Sequence, residues 1–158
     1  MEFTNTVTIH RSRSEVFAFL SDLSRSEVFA FLSDLENVPK WNYAIVETRK
    51  LSEGPPVAGA MYRQVRSLPA RSEETVELAE LMPEERLVIR GDLGPFTGDL
   101  VYELDEVEGG TRLTNTAHLQ GRGAVRIAEA LARGRVRDAV AANLGALKDL
   151  LEAPAGRR

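Results

Sequence analysis

Hydrophobic and polar residues alternate over residues 3–10 (FTNTVTIH), with Phe3, Val7 and Ile9 on one side. That period predicts a half-buried strand. The same period of two returns from 43 to 119, giving candidate strands 43–51, 59–67, 72–81, 86–92, 98–106 and 111–119. Turn chemistry separates them: G-P-P at 54–56, L-P-A at 68–70, M-P-E-E at 82–85, L-G-P at 93–95 and the pair Gly109-Gly110. Links this short join antiparallel neighbours. With the first strand added at an edge, the pattern predicts one meander of about seven strands.

Two regions break the alternation. Residues 123–152 read as one long helix, with Val136, Val140, Leu144, Leu147 and Leu151 at helical spacing on one face. Ile127 and Leu131 sit on an offset stripe, Gly134 lies between the two registers as a site for close packing, a slight kink or room above a cavity, and Pro154 ends the helix. After the first strand, Ser12-x-x-Glu15 is a capping box before an apolar run, and 36–42 (ENVPKWN) reads as a turn or helical loop closing on Trp41.

The fold class that follows is α+β, one curved antiparallel sheet with a long C-terminal helix against it. An open antiparallel sheet needs its apolar face covered, and the terminal helix carries the one long apolar stripe available. A curved sheet gripping one helix leaves a space between them, where a ligand fits. Residues 1–153 form a single expected domain and 154–158 a tail.

The segment SRSEVFAFLSDL occurs at 12–23 and again, without a difference, at 24–35. As one continuous helix, the insertion would add about 18 Å and turn the downstream face by roughly 120°. The first strand and Trp41 could not then both keep their places. Three arrangements remain: one copy docks and the other loops out; the copies form a helix pair broken at Ser24, which begins its own box with Glu27; or a long helix over about 14–34 carries the N-terminal strand onto a second chain, a homodimer by segment exchange. The surplus copy adds a Val, two Phe and two Leu to be hidden, which favours association.

Composition narrows the function classes. The 158 residues carry a net charge of −4, which gives no reason to expect nucleic acid, and contain no cysteine. Disulfides, thiolate metal sites and a cysteine nucleophile are therefore excluded. No 18-residue apolar span and no leader pattern is present, so a cytoplasmic protein without a membrane span is expected. Residues 70–110 hold twelve acids and three bases, whereas 111–158 hold nine bases and four acids. A basic last helix beside an acidic sheet is one reading; a basic surface for an anionic partner, through Arg122, Arg126, Arg133, Arg135 and Arg137, is the other.

The stretch SRSEVFAFLSDLENVPKW at 24–41 resembles the opening helix signature of the START/Bet v1-like superfamily, also called SRPBCC, which includes polyketide cyclase/dehydrase and lipid-transport proteins. RLVIRG at 86–91 and VEGGTRLT at 107–114 are similar to that family's fifth strand and last hairpin. The resemblance implies a helix-grip fold with a deep, mostly apolar cavity. It leaves function open, because the family hosts enzymes, carriers and sensors.

Reactive groups are scarce. His10 and His118 have no metal-site spacing and read as solvent-facing strand residues; no nucleotide or hydrolase motif is present, and no cofactor or metal is expected. The informative residues are polar groups in apolar rows. Asn115 shares a row with Leu113, Ala117 and Leu119; Tyr102 lies between Leu100 and Leu104; Tyr62 and Gln64 share a face, as do Glu74, Val76 and Leu78. Trp41 and Phe96 are expected in loops at the mouth, Phe96 as a gate. The candidate ligand-binding set is therefore Trp41, Tyr62, Gln64, Phe96, Tyr102 and Asn115, with no catalytic pair. A carrier of a small hydrophobic ligand (lipid, polyketide or isoprenoid-like) is the first expectation. A polyketide cyclase/aromatase or dehydratase using Asn115, Tyr102 or Gln64 is the second, and a partner-binding module acting through the basic helix the third.

Overall fold

A computed structural model describes residues 1–10, 25–126 and 128–153. Seven strands form one antiparallel sheet: β1 (Glu2–His10), β2 (Ile45–Lys50), β3 (Ala60–Arg66), β4 (Ser72–Met82), β5 (Arg86–Leu93), β6 (Phe96–Val107) and β7 (Gly110–Gly121). Their order is β1-β7-β6-β5-β4-β3-β2, so the meander runs in sequence and β1 closes onto its last member. β1 pairs with β7 of the same chain, Phe3 opposite Ala117 and Ile9 opposite Thr111. Each stretch with a period of two in the sequence is a strand. β6 starts earlier than the spacing suggests, and Phe96 is its first residue rather than a loop residue, opposite both Leu93 and Gly121.

Gly91 of β5 and Gly98 of β6 face each other, both at φ 151°. A Cβ on Gly98 would stand 1.9 Å from the His118 carbonyl oxygen, and one on Gly91 2.6 Å from that of Thr75. Only residues without a side chain let four neighbouring strands approach at this point. Register shifts in β2 and β4, at Ile45/Glu47 and Leu78/Glu80, break the ladder further.

The helix α1 (Arg25–Ser33) is built from the second repeat copy, and Val28, Phe29 and Leu32 bury against the sheet. Leu35 and Val38 extend this layer through a 3-10 turn, Leu35–Lys40, whose cap is the Asp34 carboxylate accepting from the Glu36 N–H. Asn37 Nδ2 donates to the Phe31 carbonyl at 3.1 Å and ties turn to helix. The second copy thus fills the packing position. The first copy, with its box Ser12-x-x-Glu15, lies outside the described residues, as do Ile127 and the tail 154–158.

The last helix is shorter than its apolar pattern predicts. A 3-10 turn spans Gly123–Arg126, and α2 runs Glu129–Glu152. Leu144, Leu147 and Leu151 are buried and Val140 partly so, as the stripe requires. Of the offset stripe, Leu131 is 85% exposed. Gly134 is exposed, and a Cβ there would meet nothing within 4 Å, so it serves no close packing.

α2 lies along the edge strand β1. Arg133 donates to the Glu2 carbonyl, Asn5 Nδ2 to the Arg137 carbonyl, Lys148 Nζ to the Thr8 carbonyl, and the His10 N–H to Glu152. The contacts advance together in number, so helix and strand run side by side. Pinning α2 over one edge leaves a gap between it and the far strands.

The last of these ties makes a pH-dependent latch. Partial burial works to raise the Glu152 pKa, but the His10 N–H at 2.7 Å and Lys148 Nζ at 2.6 Å outweigh it and hold the carboxyl below its ordinary value. A folded pKa below the unfolded one adds stability above the unfolded pKa, and that stability is lost as pH falls through the folded value. Glu152→Gln lowers stability by about 0.5–1 kcal/mol near neutral pH, since solvent screens this half-open site. The difference from wild type shrinks in acid, as urea unfolding at neutral and acidic pH measures.

Candidate functional site: a cavity between sheet and helix

The gap is a cavity of about 360 Å³. Its floor is the inner face of β3 to β6, with Val76, Ile89 and Leu100; its roof is α2 with Val136, Ala139 and Val140. Trp41 closes one side and meets Tyr102 edge-on, with ring centroids 6.3 Å apart at 85°. The mouth lies where the wall residues reach solvent: Tyr43 and Leu68 are exposed large apolar residues, and Arg135 of α2 is exposed beside them.

Trp41, Gln64, Phe96 and Tyr102 of the expected set line this cavity, and Tyr62 and Asn115 do not. Tyr62 is buried on the same face of β3 as Gln64; its phenol has a raised pKa from burial, with the Asp34 and Glu36 carboxylates adding to it. Asn115 is wholly buried opposite Tyr102 of β6 and Asn5 of β1, on the side that α2 covers. Its Nδ2 donates to the Val101 carbonyl at 3.5 Å, and its Oδ1 has no partner among the described residues. His10 and His118 are exposed on the strands, His118 Nδ1 lying 3.2 Å from a Glu2 carboxylate oxygen.

A buried ion pair stands at the mouth end of the floor. Arg66 is the next inward-facing residue after Tyr62 and Gln64, and its Nη2 meets Glu74 Oε1 at 2.9 Å, with Nε at 3.1 and 3.2 Å from the two oxygens. Gln64 Nε2 donates to Oε1 at 2.6 Å, and the Gly94 N–H to Oε2 at 2.8 Å. The carboxylate is therefore saturated, as a buried charge must be. Through Gly94 it also fastens the β5–β6 turn to β4, and with it Pro95 and Phe96 on the wall. Glu74 is recognisable in the sequence only as a polar member of an apolar row. Arg66 is missed there, although the period-two row Ala60, Tyr62, Gln64 runs straight into it.

Two polar groups inside the wall keep free valences. Trp41 Nε1 and Asn143 Oδ1 are buried with no partner among the described residues. The Tyr102 hydroxyl is fully enclosed, and burial alone raises its pKa far above the usual phenol value. Asn143 is absent from the sequence-based set. The signal for it was available, since Arg135, Ala139 and Asn143 recur every four residues beside the leucine stripe.

The fold and this enclosed cavity are those of the helix-grip class. The chain belongs to the polyketide cyclase / dehydrase and lipid transport family, whose sequence profile matches residues 23–152 and so runs through the second repeat copy. The Zhui aromatase/cyclase from Streptomyces sp. R1128 has a similar fold, with TM-score 0.68 at 14% identity over 96% of this chain and 93% of that one. Ara h 8.0201 gives TM-score 0.63 at 12% identity over 96% and 97%. The di-domain ARO/CYC StfQ from the steffimycin biosynthetic pathway gives 0.69 at 14%, this chain covering 51% of its length. No curated protein matches the sequence. Among the described residues no helix is long and apolar enough to cross a membrane, and no group of three or more His, Asp or Glu could hold a metal ion.

Proposed function

We propose that this protein binds one small hydrophobic molecule in the cavity between α2 and the sheet and does no chemistry on it. The observation that carries this is the wall itself: Val76, Ile89, Leu100, Phe96, Val136 and Val140 enclose about 360 Å³, the size of a small-ligand pocket. Burying an apolar ligand against such a wall gains roughly 25 cal/mol for each Å² removed from water.

The wall argues against catalysis. A general base works best with a pKa near neutrality. The titratable wall residues among those described are Tyr43, Arg66, Tyr102 and Arg135. Tyr102 is held protonated by burial and cannot serve as a base near neutral pH. Arg66 is spent on Glu74. The cyclase or dehydratase alternative draws its support from the family and from neighbours whose names carry that activity.

Trp41 is the single tryptophan of the chain and lines the cavity, so its emission reports occupancy. Titration with 1-dodecanol is expected to shift Trp41 emission saturably, at one ligand per chain. Emission that stays constant, or drifts without saturating, would overturn the reading.

A further inference from the structure

The roof of the cavity is graded in polarity. Arg135, Ala139 and Asn143 follow at intervals of four on α2, and all three line the cavity. Along this row exposure falls from Arg135, open to solvent, through half-buried Ala139 to Asn143 at 9%. Eight residues of helix separate the two polar ends, about 12 Å along the axis. Arg135 makes no ion pair or hydrogen bond among the described residues, unlike Arg66, Arg122 and Arg133, which meet Glu74, Asp92 and the Glu2 carbonyl. Among the described residues no acid lines the cavity. At the inner end, Asn143 Oδ1 is a buried acceptor without a donor, which costs free energy until one arrives.

We propose that the cavity takes an amphipathic organic anion: a carboxylate at the mouth on Arg135, an apolar chain over Ala139 and Val140, and a hydroxyl at the far end of the chain donating to Asn143. This rests on the cavity being a ligand site and adds the class of ligand. The two ends act differently. Arg135 lies in solvent, so its pairing with a carboxylate is screened by salt and worth a modest factor. Asn143 is buried, so it discriminates by the presence or absence of a donor rather than by charge.

The test uses three probes on the full chain, read by Trp41 emission: dodecanoate, 1-dodecanol and ω-hydroxydodecanoate. Dodecanoate is expected to bind about fivefold more tightly than dodecanol at low salt, with the advantage fading as salt rises. Arg135→Gln is expected to remove that advantage. ω-Hydroxydodecanoate is expected to bind wild type at least as tightly as dodecanoate, and Asn143→Leu to weaken the hydroxy acid more than the plain acid. Equal binding of acid and alcohol to wild type, or a preference that survives Arg135→Gln, overturns the anion while leaving the cavity as a ligand site. Binding of none of the three overturns both. An unfolded variant is recognised by circular dichroism; Arg135→Lys, which keeps the charge, then carries the test and must retain the preference for the acid.

Discussion

Glu74→Leu lowers the free energy of unfolding by about 3–5 kcal/mol, because it strands a buried cation. The Glu74 side chain is 3% exposed and Arg66 13%, so water replaces only part of what the carboxylate supplies. The loss goes beyond Arg66, since Gln64 Nε2 and the Gly94 N–H also lose their acceptor. Urea unfolding measures it as a lower midpoint at constant slope. Adding Arg66→Met to Glu74→Leu is expected to recover a large part of the loss, since removing both charges avoids the desolvated orphan. A single-variant loss below about 1 kcal/mol would mean that the pair behaves as a surface salt bridge, contrary to its burial.

Ala139→Phe has the largest expected effect on binding. Its methyl group faces the cavity from the middle of the roof, and a phenyl ring there occupies the space the ligand needs. Affinity for dodecanol falls at least tenfold, about 1.4 kcal/mol. Stability changes by less than the ~1–3 kcal/mol of overpacking, since the ring enters open volume rather than a filled core. Trp41 emission gives the affinity and thermal unfolding the stability. A variant that binds as wild type does would place the ligand elsewhere on the molecule.

Strand order and the apolar stripe of α2 were legible because both are periodic and the period alone says which face is buried. Val76 and Leu78 point inward for the same reason that Leu113 and Ala117 do. Helix ends were less legible. The apolar pattern ran on through Ile127 and Leu131, but the chain from Gly123 to Arg126 makes a 3-10 turn, and Leu131 faces solvent. Nothing in the spacing of residues distinguishes an apolar side chain that packs from one that does not.

The cavity wall was legible in part. Trp41, Gln64, Phe96 and Tyr102 line it, while Tyr62 and Asn115 share its face yet lie beyond it. Alternation tells which side of a strand a residue occupies; it does not tell how far along the strand the helix stands off the sheet. That distance is set by contacts between remote residues, Lys148 with Thr8 and Glu152 with His10, which no local pattern carries. Arg66 and Asn143 were missed for a related reason: a charge or an amide in an apolar row reads as an interruption until its partner, or its lack of one, is seen. The repeat posed a choice between equal sequences. The second copy continues through its own Leu35 into Val38 and Trp41, all buried in one core cluster.

Native mass spectrometry of the protein incubated with dodecanol, beside Ala139→Phe treated in the same way, addresses the cavity most directly. A one-to-one adduct on the wild-type chain and none on the variant is the expected result. Equal adducts on both, or a bare wild-type chain in excess ligand, would contradict a ligand site between α2 and the sheet.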